Sequence, residues 1–74
     1  MTDRVIYASD IVDCHIKTLR ALLTDAQNLA TTACKHLRNK ERNAAVGTIL
    51  PIKDLLEAAT ATYAVVLLLQ RQRV

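Results

Sequence analysis

The chain has 74 residues and a formal charge of +3, from ten Lys plus Arg against seven Asp plus Glu; 51% of its side chains are apolar but only 3% are aromatic. One glycine and one proline cannot supply the turns of a sandwich or barrel, and so short a chain holds a single small domain. The charge permits an anionic partner without demanding one, and two cysteines are too few for a disulfide framework.

The amino end carries Asp3 beside Arg4, where a signal peptide needs an uninterrupted positive region, and no apolar segment follows. The longest uncharged apolar stretch, residues 58–69, is short of the ~20 residues that span a bilayer. A soluble, reducing, cytoplasmic setting without membrane contact is therefore expected.

The first element is a long amphipathic helix. Val12, Ile16, Leu19, Leu23, Ala26, Ala30, Ala33 and Leu37 follow one another at intervals of four and three, with Leu22 and Leu29 widening the stripe. Ser9 fits the N-cap, Asp10 and Asp13 suit the positive first turn, and Lys35 and Arg38 suit the negative last turn. Asn39 fits the left-handed residue that closes such a helix, which predicts a helix over about 9–38. The stripe also extends back through Ala8 and Val5, so residues 1–8 either continue the helix or form a separate turn.

A second stripe, Ala45, Ile49, Ile52, Leu56, Ala59, Tyr63 and Val66, predicts a helix over about 43–70 with Asn43 as its N-cap. It passes through Pro51, whose ring clashes with the carbonyl of Gly47, so the helix is either kinked there or broken into two. The short connection around residues 39–43 sets the arms antiparallel. The expectation is an all-α chain, one helical-hairpin domain over 1–74.

Two helices bury only the seam between them. Leu22, Leu23, Leu29, Leu55, Leu56 and the run 65–69 present more apolar surface than one seam covers, and Ala26, Ala30, Ala33 and Ala59 allow close helix approach. A homo-oligomeric bundle, a dimer or larger, is the simplest closure.

Catalytic constellations are sparse. His15 and His36 lie 21 residues apart on one helix and read as polar ends of a buried seam. Cys14 and His15 are adjacent and point about 100° apart, which is no nucleophile and base pair. Asp10 and Asp13 complement the helix dipole. Glycine-rich phosphate loops, serine elbows and zinc spacings are missing from the sequence, so neither an enzyme nor a bound cofactor or metal is expected.

The cations cluster. Lys35, Arg38, Lys40 and Arg42, offset by Glu41 alone, place a net +3 on eight residues around the turn, where the second helix also begins with unpaired amides. Basic residues there complement the first helix's dipole, and they equally offer a site for phosphate.

At this turn, Lys40-Glu41-Arg42-Asn43-Ala44-Ala45-Val46-Gly47-Thr48-Ile49 resembles small phage-encoded helical-hairpin proteins that act as sponges for cyclic-nucleotide immune signals. Asn43 stands where that family has a capping serine; Pro51 and the absence of the family's tryptophan-bearing stretch depart from its pattern. The resemblance implies a homo-oligomer that sequesters a nucleotide messenger without hydrolysing it, as in viral counter-defence. Phosphates would be bound by Lys35, Arg38, Lys40 and Arg42, and bases stacked on Tyr63 and Tyr7, the chain's two aromatic residues. Two other readings compete. One is an RNA- or DNA-binding bundle whose basic patch extends through Lys17 and Arg20, as in small plasmid-encoded RNA-binding hairpins, although a +3 protomer neutralises few phosphates. The other is a protein-interaction module that docks through residues 65–69.

Overall fold

The computed structural model describes residues 8–72. They form α1 (Ala8–Arg38), α2 (Arg42–Ile49) and α3 (Ile52–Gln72), with no strand among the described residues. α1 is one arm of a hairpin and α2 with α3 is the other, both packing along α1. At 1.5 Å per residue, the 31 residues of α1 make an arm about 46 Å long. Because α1 already includes Ala8, Ser9 is itself helical and is not the expected N-cap. The question of how residues 1–7 continue the chain falls outside the described residues, as does Tyr7.

The chain reverses by a hydrogen-bonded closure of α1. The Lys40 amide donates to the Leu37 carbonyl at 2.9 Å and the Glu41 amide to the His36 carbonyl at 2.8 Å, the paired 5→2 and 6→1 bonds of a Schellman motif. The left-handed residue that this closure needs is Lys40, at φ 63°, and not Asn39. The reason is that the Asn39 amide still reaches back to the Lys35 and His36 carbonyls, at 3.3 and 3.1 Å, so the reversal falls one residue later. The N-cap of α2 is Glu41, two residues before the expected Asn43 and without a side-chain cap bond, which leaves Asn43 within the first turn.

Pro51 breaks and bends the second arm without reversing it. The Leu50 amide reaches the Gly47 carbonyl at 3.4 Å, a three-residue step, and the Pro51 ring carries no N–H to bond the same oxygen. Leu50 keeps right-handed helical dihedrals of φ −55° and ψ −42°, so the chain is not reversed and α3, like α2, packs along α1. Of the two expectations at this point, the broken helix is the one found, with the second piece beginning at Ile52.

The seam follows an unbroken four-three spacing. On α1 the seam positions, all buried or half-buried, are Val12, His15, Leu19, Leu22, Ala26, Leu29, Ala33 and His36, with Ile11 half-buried beside Val12; on the other arm they are Ala45, Thr48, Ile52, Leu55, Ala59, Thr62, Val66 and Leu69. Half of the expected stripe is thereby displaced by one position. Leu22 and Leu29 enter the seam, while Ile16, Leu23, Ala30 and Leu37 stay outside it; on the other arm Ile49, Leu56 and Tyr63 are outside. Only Val12, Ala33, Ala45 and Ala59 are buried apolar residues among those described, and none is large. Polar seam members are satisfied locally: the Thr48 and Thr62 hydroxyls donate to the Ala44 and Ala58 carbonyls at 2.8 Å, and His15 Nδ1 meets the Ile11 carbonyl at 2.9 Å.

Candidate anion-binding turn

The closed end of the hairpin gathers charge because the last turn of α1, the reversal and the first turn of α2 share one small volume. Lys35 and Arg38 project from α1, Lys40 sits at the reversal, and Arg42 opens α2; all four are exposed. Lys40, Arg42 and Leu37 line an open depression of about 340 Å³. The free amides of the first turn of α2 point out at the same end and add a positive partial charge.

The one carboxylate in this region is already engaged. Glu41 Oε1 lies 3.0 Å from His36 Nδ1, a pair five residues apart that bridges the reversal. Besides this contact, the ion pairs among the described residues comprise Lys53 with Glu57, at 3.2 Å on the exposed side of α3. Lys35, Arg38, Lys40 and Arg42 therefore carry no ion pair and are available to an external anion.

The remaining sequence candidates among the described residues are not brought to the turn. Tyr63 lies 21 residues beyond Arg42 along the second arm, about 32 Å of helix, so one chain does not place it beside the cations. It is 55% exposed, with its ring outside the seam. His15 and His36 are about 31 Å apart along α1, and the exposed Cys14 and Cys34 about 30 Å apart. Asp10 and Asp13 are exposed at the far end from the turn. Among the described residues no group of three His, Cys, Asp or Glu side chains gathers as a metal ion would need, and no helix is long and apolar enough to cross a membrane.

Two features escaped the sequence reading. The His36–Glu41 contact spans a turn, where the three- and four-residue helix rule does not apply. The second is an open depression of about 500 Å³ between the arms, where Asp25, Asn28 and Thr32 of α1 face Pro51 and Asp54. Its signal was present: Asp25, Thr32 and Pro51 each precede a seam residue, which puts them on one side of the seam.

Compared with protein-family models, curated proteins and solved structures, the chain returns no match.

Proposed function

We propose that this chain is a non-catalytic, homo-oligomeric helical hairpin that captures a small anionic nucleotide at its basic turn and holds it without cleaving it. The observation that carries this reading is the set of four exposed cations with no ion pair among the described residues, beside a carboxylate already held by His36. Phosphate would meet Arg38 and Arg42 as bidentate donors and Lys35 and Lys40 as point charges, with the first amides of α2 behind them. A signal so held is withdrawn from its receptor, the action of the sponge proteins that the turn resembles.

An extended nucleic acid is supported less well. The next cations on α1, Lys17 and Arg20, are separated from Lys35 by fifteen residues or more, about 22 Å of helix with no basic side chain. A strand following the surface would meet only Lys53 of the other arm across that gap, a cation already paired with Glu57.

Thermal-shift measurements with cyclic di- and trinucleotides, ADP-ribose and short RNAs test the proposal. A cyclic nucleotide at 100 times its Kd should raise stability by about 2.7 kcal/mol, and Lys40→Glu with Arg42→Glu should abolish the shift at unchanged oligomer size. Binding that survives the double change removes the turn as the site, and a shift with RNA alone replaces the nucleotide reading.

A further inference from the structure

The hairpin has two unlike faces. Asp25, Thr32, Pro51 and Asp54 line a depression that spans both arms, so residues just before seam positions share one face; that face carries Asp25 and Asp54, and its exposed large apolar residues are Val65 and Leu68, toward the far end of α3. Residues just after seam positions share the opposite face. There Leu23 on α1 and Ile49, Leu56 and Tyr63 on the second arm form apolar columns, extended at the edge of the second by Val46 and Leu67. These six are each 42 to 55% exposed. With their flanking stems they offer roughly 600 Å² per protomer, so that a pair of such faces buries about 1,200 Å², the size of a specific interface.

The columns of the second arm are also symmetric. About Leu56 that arm is nearly palindromic, with Ile49 and Tyr63 seven residues to either side of Leu56 and Val46 and Leu67 ten and eleven away. A surface that is symmetric about its own midpoint fits a second copy of itself through a two-fold axis at that level. The antiparallel arrangement keeps the two basic turns about 46 Å apart, whereas a turn-on-turn arrangement would press four cations against four.

We infer that two hairpins pair antiparallel through this face and that each copy delivers its Tyr63 to the other's basic turn. Across the axis, the second copy's Tyr63 lies over Ile49, seven residues and about 10 Å from Arg42, instead of the 32 Å within one chain. The phosphates of a nucleotide on Lys40 and Arg42 then have an aromatic ring within reach of the base. The composite site rests on the nucleotide reading above; the pairing itself does not.

Two experiments separate these. In a Cys14→Ser, Cys34→Ser background, mild oxidation of Leu56→Cys should give a covalent dimer in high yield, and mixed Ile49→Cys and Tyr63→Cys chains should join to each other. Asp54→Cys on the opposite face should not crosslink. Crosslinking through Lys40→Cys in place of Leu56→Cys, or a folded 8.2 kDa monomer by light scattering, overturns the pairing with no ligand involved. For the composite site, Arg42→Glu and Tyr63→Ala chains, each defective in binding cyclic dinucleotide, are refolded together. Mixed dimers should recover one intact site of their two, because the Tyr63→Ala chain supplies the turn and the Arg42→Glu chain the ring. Absence of recovery, or a wild-type chain that takes up none of the nucleotide probes when the Leu56→Cys variant still crosslinks, overturns the composite site and leaves the pairing standing.

Discussion

Two interruptions divide the helical ladder, and only one of them reverses the chain. At Asn39–Glu41 the backbone enters the left-handed region at Lys40 and closes with paired bonds to the Leu37 and His36 carbonyls. At Leu50–Pro51 a donor is missing, yet Leu50 stays right-handed and the arm carries on. Loss of a hydrogen bond bends a helix; a change in the sign of φ turns it. The candidate site sits at the first interruption, because reversal is what brings the end of one helix and the start of the next, with their four cations, to one place.

The largest expected effect comes from making the reversal harder. Lys40→Val places a β-branched side chain at φ 63°, and should destabilise the fold by about 2 kcal/mol. Chemical denaturation at fixed protein concentration checks this, and an unchanged midpoint would mean that the reversal has moved back to Asn39. Pro51→Ala should act in the opposite direction. It returns an amide that can bond the Gly47 carbonyl, and should stabilise by about 1.5 kcal/mol while joining α2 to α3, seen as hydrogen-exchange protection at position 51. A loss of stability there would show that the bend is required, by the seam or by a second copy.

The arms and their interruption were legible in the sequence. The expected helix over 9–38 is found at Ala8–Arg38, and the arm expected over 43–70 is found as Arg42–Ile49 and Ile52–Gln72 with its break at Pro51. What the sequence left open was rotation. Leu22 and Leu23, like Leu55 and Leu56, are neighbours on the helix surface, and both columns are apolar enough to be buried. Hydrophobic spacing does not choose between them, since the choice depends on how the turn sets one arm against the other. The turn in turn depends on whether position 39 or 40 is left-handed, a difference of one residue that Asn39 argued the wrong way. The same ambiguity explains the candidate site: the four cations were legible because they are close in sequence, whereas the position of Tyr63 outside the seam followed only from the observed register.

Lys40→Gly separates the two roles of this position. Glycine has no penalty at φ 63°, so stability should rise by about 1 kcal/mol, roughly 4–8 °C in Tm for a domain of this size. One cation is lost at the same time, so nucleotide affinity should fall while the fold gains. Affinity that rises along with stability would mean that Lys40 serves only the turn.

The smallest effect is expected at Gly47, whose carbonyl Pro51 leaves half-served. Gly47 is helical, has no positive φ, and a methyl group built on it meets nothing within 4 Å. Alanine should therefore fit without strain and should reduce the conformational freedom of the unfolded chain, a gain of about 0.5–1 kcal/mol in α2, the shortest helix. Thermal melts followed by circular dichroism at two protein concentrations measure it. A gain at both concentrations confirms open space at Gly47. A loss that grows weaker on dilution would instead place another chain close against that glycine, since nothing within the single hairpin comes near enough to object.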